Sequence, residues 1–419
     1  MPYAIPAPIQ PRRVVITGLS IATALGFTLD DFWSALVAGR CGISRMPNVA
    51  DDSPLPCKVA GRIADDMLAA ALERLKLDDP DRANQLALVA VGQALENAGL
   101  PVDGRTEIPA DTIFGTGHGN VTCNNEAAVA FHTGGYRKLR PTTVVRIMFN
   151  RPANIASIRF KLTGGNFVLG AACATGLVTV GEAYQKIRLG MADCVVAACA
   201  DSGLDLPTFA AWNRLGVFSR IPDPVRASRP FDKGRDGIVM AEGGAGFVVE
   251  SLESAQRRGA HIHAEVLGLG ATSDAKHIVQ PDQKGQVRAL RLALASAGIA
   301  PEEVDYLNAH GTATQIGDVV EAATIREVFG AHTDHLPVSS TKAQLGHLMG
   351  ATSGVELVAT LLAMRHGMVP AGQNLDDPDP RCAVNLVRGK PLAKEIRIAM
   401  KNAFAFGGTN CAMILGRWS

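Results

Sequence analysis

A chain of 419 residues, 47% apolar and 19% charged, is long enough for two cores and too apolar to be intrinsically disordered. Its 41 basic and 40 acidic residues leave a formal net charge of +1 with no long basic run, which argues against a nucleic-acid partner. No apolar stretch approaches a membrane span, Met1 to Arg13 does not read as a signal peptide, and the eight cysteines are scattered singly. These features predict a reduced, cytoplasmic protein with no membrane partner.

Val14 to Thr17 reads as a first strand ending at Gly18. Thr28 to Ala38 follows as a helix, opened by a Thr28/Asp31 capping box and buried through Leu29, Phe32, Leu36 and Val37. Gln85 to Pro101 and Gln286 to Pro301 are Ala/Leu-rich helices closed by Gly and Pro, and they look like copies of one another. A second pair of copies runs from Cys173–Gly176 into a helix ending near Gly190, and from Ala351–Gly354 into one ending near Gly367. A β-like run follows each, Cys194 to Ala198 and Met368 to Val369. Copies separated by about two hundred residues indicate domain duplication rather than a short repeat. The polar break at Ser251 to Ala260 divides the chain into halves 1–255 and 256–419, expected to pack face to face with the chemistry at their junction.

Cys173 lies in the small-residue run Gly170 to Gly176, where the chain enters a helix. A helix N-terminus is expected to lower the thiol pKa and favour a nucleophilic thiolate. Downstream, His310 lies in Asn308–Thr314 and His347 closes Ser340–His347, both bracketed by small or polar residues. One cysteine with two histidines points to thioester chemistry. Among the remaining histidines, His118, His132, His332, His335 and His366 read as structural. His261-Ile-His263 has a strand-face spacing but no accompanying ligand cluster, so no metal is expected. Gly115 to Asn120 lacks the spacing of a dinucleotide loop.

Together with Phe231–Gly237, Met240–Ala245 and Asn402–Asn410, these segments resemble the β-ketoacyl-[acyl-carrier-protein] synthases in order and spacing, from about Arg13 onward. The resemblance implies an α/β, duplicated thiolase-like fold with five α/β/α/β/α layers. It also implies an acyl carrier protein as partner, a homodimer or a heterodimer with a related subunit, and no cofactor beyond the carrier's phosphopantetheine. The implied reaction moves an acyl chain from the carrier to the cysteine, where a malonyl thioester loses carbon dioxide and attacks it.

Carried over by resemblance, Cys173 is the acylated nucleophile, and His310 and His347 bind the malonyl thioester carbonyl. Lys342 tunes them through a network with Glu356. Backbone N–H groups of Cys173 and Phe406 form the oxyanion hole, and Phe406 gates the site on a loop with Phe404, Gly407 and Gly408. Thr312 and Thr314 hold the pantetheine arm, while Arg137 and Lys138 meet the carrier protein.

Several residues depart from the family pattern. Ala198 and Cys199 replace a Gly-Gly pair, and Asn124 is expected at the depth of the acyl pocket, where an apolar residue is common. Trp212 to Phe218 and Arg146 to Arg151 are atypical of an elongation enzyme. Two other readings are a non-catalytic chain-length-factor-like subunit, opposed by the intact Cys173, His310 and His347, and a thiolase, whose second active-site cysteine Cys411 does not match.

Overall fold

The computed structural model describes residues 11–418; the remainder of the proline-rich start, residues 1–10, lies outside them. Ten strands form one sheet, in two halves of identical plan. The first half contains β1 (Val14–Ala22), β2 (Asp111–Gly115), β3 (Asn166–Leu169), β4 (Cys194–Asp201) and β5 (Gly243–Ser251). The second contains β6 (Ala264–Ser273), β7 (Tyr306–Asn308), β8 (Val338–Ser339), β9 (Ile398–Phe404) and β10 (Thr409–Arg417). Across the sheet the order is β8-β7-β9-β10-β6-β1-β5-β4-β2-β3. In each half the first strand pairs antiparallel with the fifth and the fifth antiparallel with the fourth; the fourth pairs parallel with the second, and the second parallel with the third. Only Val15↔Glu265 and Ile16↔Ala264 join the halves through β1 and β6.

Apart from β3 and one face of β6, the strands are buried on both faces, so each feeds two layers. Val195, Ala197 and Cys199 of β4 enter the central core, and Val196, Ala198 and Ala200 enter an outer one. In β10, Cys411, Met413 and Leu415 face the centre, and Ala412 and Ile414 face the opposite outer layer. Helices α1 (Arg82–Asn97) and α3 (Gln283–Ala297) form those outer layers, while α2 (Thr175–Arg188) and α4 (Thr352–His366) fill the middle. This is the expected five-layer α/β/α/β/α thiolase-like arrangement. Buried from Thr352 to Met364, α4 has no solvent face, as its mid-sandwich position requires.

The helix after Thr28 spans Leu29–Val37, with Thr28 Oγ1 accepting the Asp31 N–H at 3.1 Å as its cap. Its fully buried residues are Phe32, Trp33, Ala35 and Leu36, whereas Leu29 and Val37 are partly buried. Gly18 does not end β1. The strand continues past it through a bulge, and a Cβ there would lie 2.4 Å from the Ala94 carbonyl of α1, so the glycine permits close helix packing.

The internal copies are real, but their register is shifted by one residue. The 3-10 turn Ala172–Ala174 precedes α2 and the turn Met349–Ala351 precedes α4, so Cys173 corresponds to Gly350 rather than Ala351. Ala172 (φ 45°) and Met349 (φ 49°) hold the same strained left-handed conformation at the start of each turn. Met368–Val369 is not the counterpart of β4; it pairs with Leu392–Ala393 in a separate ribbon, and β9 fills that role after the intervening loop. α2 and α4 cross so closely that a Cβ on Gly176 would lie 2.4 Å from the Gly354 nitrogen. Cys199 packs its sulfur into the same crossing, 3.7 Å from the Ala351 carbonyl, where the resemblance led us to expect glycine.

Candidate active site

The parallel strands deliver the chemical groups from their carboxyl ends, where open α/β sheets generally bind ligands. β3 leads into the Cys173 turn, β7 into His310, Thr312 and Thr314, β8 into the Lys342–His347 segment, and β9 into Phe404 and Phe406. One half of the duplication therefore supplies the sulfur and the other both imidazoles. The Cys173 sulfur and one nitrogen from each of His310 and His347 all lie within 4.8 Å of one another. They line a cavity of about 330 Å³ that also takes in Thr312, Thr314 and Phe406.

Both histidines are buried, and their rings meet edge to face at 5.6 Å. Burial, reinforced by the nearby Lys342 cation, pushes both pKa values well below the usual 6.5, so both imidazoles are neutral at pH 7. The Met349 N–H donates to His347 Nδ1 at 3.0 Å, which leaves the proton on Nε2. Lys342 Nζ lies 3.4 Å from His310 Nδ1 and donates to the His310 carbonyl and to Glu356. Lys401 meets the other Glu356 oxygen at 2.9 Å, and all three charged groups are buried. Glu321 accepts the N–H groups of His310 and Gly311, each at 2.7 Å, and the Asn402 amide at 3.0 Å; burial raises its pKa to about 7.

Sequence reasoning missed Lys401 and Glu321. For Lys401 a signal was present, a lone lysine within the apolar strand Ile398–Phe404. Glu321 lies in the helix Gly317–Phe329, whose buried face mixes polar and apolar residues, and carried no local mark.

The structure revises the expectation for the thiol. Cys173 is only half-buried by surface area because its neighbours open onto the cavity, yet protein surrounds its sulfur. Burial therefore dominates and raises the thiol pKa to about 11, against the opposing pull of Lys342 and the backbone N–H groups of Phe406 and Cys173. Those N–H groups face the sulfur, where an oxyanion hole needs them. Gly407 and Gly408, both at positive φ, follow Phe406 on a loop tied to Asp274 and Ile278. Phe404 meets the His310 ring edge to face at 6.3 Å. Thr312 and Thr314 share a hydroxyl hydrogen bond of 3.0 Å at the cavity wall.

Three expected site residues lie elsewhere. Asn124 is exposed on the helix Val121–Gly134 and does not line this cavity, so an acyl-depth role has no support within one chain. Arg137 and Lys138 occupy an exposed 3-10 turn, with Arg137 over the Tyr136 ring. The glycine-rich loop from Gly115 wraps a carboxylate instead of a phosphate: Asp201 accepts the N–H groups of Gly117 at 2.9 Å and His118 at 3.0 Å.

Two family models match this chain, the Beta-ketoacyl synthase N-terminal domain over residues 11–255 and the C-terminal domain over residues 263–376. The chain belongs to the β-ketoacyl synthase family. It is 38% identical over 413 residues to 3-oxoacyl-[acyl-carrier-protein] synthase 2 of Coxiella burnetii, spanning 97% of this chain and 99% of that one. Among solved structures it resembles the ishigamide ketosynthase/chain length factor, with a TM-score of 0.90 at 34% identity over 98% of this chain and 100% of the other. A type II PKS acyl-carrier protein in complex with its ketosynthase bound to the hexaketide also matches, with a TM-score of 0.90 at 26% identity over 98% and 100% of the two chains. The protein is thus an acyltransferase with ketoacyl-[acyl-carrier-protein] synthase function.

A thiol with a pKa near 11 makes the resting enzyme slow to alkylate at neutral pH. Iodoacetamide labelling of the Cys173 peptide, followed by mass spectrometry, should accelerate as pH rises toward that value. Lys342→Met removes a charge that lowers this pKa and should move the profile to still higher pH.

Proposed function

We propose that Cys173 attacks the thioester of an acyl-carrier protein and that the N–H groups of Cys173 and Phe406 hold the oxyanion of the tetrahedral intermediate. The carrier's pantetheine thiol then leaves with the proton that Cys173 gave up. After Phe406 swings aside, malonyl-carrier protein enters with its pantetheine arm along Thr312 and Thr314. Neutral His310 and His347 donate to its thioester carbonyl. Loss of carbon dioxide leaves an enolate, which attacks the acyl-cysteine; the Cys173 thiolate departs, and the β-ketoacyl chain remains on the carrier. The observation that carries this assignment is the convergence of Cys173 with two neutral imidazole donors over a buried Lys342–Glu356–Lys401 network.

Cysteine and histidine are also metal-type donors, but the Lys342 cation beside His310 disfavours a dication, and no metal or other cofactor belongs to this reading. The eight free cysteines support a reducing, cytoplasmic compartment. Arg137 and Lys138, exposed and basic, remain the proposed contact for an acidic carrier protein.

Dimerisation is part of the proposal. β3 ends the sheet, and the neighbouring surface exposes Val144 (69%), Ile158 (71%) and Phe167 (54%). An open strand edge beside exposed large apolar side chains favours a protein interface. A second copy of this chain, related by a two-fold axis, would cover both. The likeness to a ketosynthase/chain length factor structure favours a related subunit as the second reading.

The first test incubates the protein with acyl-carrier proteins of differing chain length and reads the mass added to the Cys173 peptide. Wild type should gain the acyl mass, and Cys173→Ala should gain none. His347→Ala should still acylate but lose about 10²–10³-fold in condensation, the usual cost of removing an oxyanion donor. Absence of any adduct on folded wild-type protein would overturn the assignment.

The native mass of the purified chain tests the interface. A dimer is expected. A monomer that becomes active only on adding a related subunit would establish the heteromeric reading.

A further inference from the structure

Trp212, on the helix Leu206–Leu215, lines the cavity beside Cys173. Its ring is nearly parallel to Phe406, with centroids 6.1 Å apart and planes 20° apart, and it also stacks on Phe218 at 6.1 Å and 6°. The indole is anchored at its nitrogen as well: Nε1 donates to His118 Nε2 at 3.0 Å. An accepting Nε2 places the imidazole proton on Nδ1, which lies 3.4 Å from the Asp201 carboxylate.

Asp201 is itself immobilised. Besides the N–H groups of Gly117 and His118, its carboxylate accepts the Thr116 hydroxyl at 3.1 Å and the Gly350 N–H at 2.6 Å. Gly350 lies three residues after His347, so this carboxylate ties the glycine loop of the first half to the histidine turn of the second. A continuous chain, Asp201–His118–Trp212–Phe406, therefore runs from a buried strand end to the ring beside Cys173.

The two rings of the stack differ in freedom. Phe406 precedes two positive-φ glycines, which re-orient without side-chain strain, so Phe406 can swing at the cost of the loop's hydrogen bonds from the Gly407 N–H to Ile278 and from the Asp274 N–H to Gly408. Trp212 is held by a hydrogen bond and by Phe218.

We propose that Trp212, fixed by His118 and Asp201, is the plate against which the Phe406 gate closes, making these three positioning residues that set how readily the site opens to malonyl-carrier protein. The proposal rests on the gate role given to Phe406 above. Opening separates Phe406 from the indole and forfeits the stack. Loosening the plate shifts the population toward the open gate, by about two- to tenfold for a single aromatic pair. An open gate before acylation admits malonyl-carrier protein without an acyl partner; the enolate then takes a proton from water, giving acetyl-carrier protein and carbon dioxide with no condensation.

The test uses the full chain, whose tryptophans are Trp33, Trp212 and Trp418. In resting protein, Phe406→Leu should change the emission of Trp212, and a Trp212→Phe background should abolish that difference. Acylation of Cys173 should likewise change emission in wild type and not in Trp212→Phe. His118→Leu should raise carbon dioxide release relative to condensation by about two- to tenfold, and His118→Gln, which keeps an acceptor, should restore the ratio.

Unchanged emission in resting Phe406→Leu protein would overturn the proposal, as would an unchanged ratio in natively folded His118→Leu. If His118→Leu does not fold, Trp212→Phe carries the ratio measurement, because it keeps a ring but loses the hydrogen bond. An unchanged ratio there is equally fatal. The resting emission needs no substrate, so a failure of Cys173 to acylate would sink the reaction assignment without touching the test of the plate.

Discussion

Glu356 holds two ammonium groups, Lys342 and Lys401, in a region from which water is excluded. An unpaired charge there would cost several kcal/mol, and even a well-paired one contributes little net stability. The arrangement is therefore better understood as a device for the site than as a source of stability. Two cations against Glu356, with Glu321 only partly ionised near pH 7, leave a positive field behind the histidines, which suppresses their protonation and, in the proposed reaction, favours the negative charge that develops on a bound thioester. Burial lowers the Lys401 pKa while Glu356 opposes the shift, so the carboxylate is what keeps the cation in place. For the proposed reaction, neutral donors over a fixed cationic background suit enolate formation better than imidazolium ions would.

Duplication makes this possible. Each half carries the same strained turn ahead of a central helix, but Cys173 occupies it in one copy and Gly350 in the other. The glycine copy serves structure, since its N–H reaches Asp201 across the junction. Divergence between two equivalent positions has given one half the cysteine proposed as nucleophile and left the other to bring the histidines against it.

What was legible in the sequence was local. The strand-end turns that carry Cys173, His310 and His347 are short motifs whose residue types declare their chemistry, and the paired Ala/Leu-rich helices became α1 and α3. What was not legible depends on tertiary packing. The thiol was expected to be acidic from its helix start, but desolvation by burial outweighs the dipole. Asn124 was expected by resemblance at the depth of the acyl pocket, but it is exposed on its helix and lies away from the cavity. Lys401 and Glu321 act from another strand and helix, and nothing in their neighbourhoods joins them to Lys342. The one-residue slip between the copies appears only when the two 3-10 turns are superposed.

The account depends on both imidazoles staying neutral beside buried cations. A nitrogen-15 NMR titration of histidine-labelled protein, assigned with His310→Gln and His347→Gln, measures this directly. Both rings should remain neutral as pH falls below the ordinary histidine value of 6.5, with His347 carrying its proton on Nε2. Protonation of either ring at or above that value would contradict the electrostatic account and the donor role drawn from it.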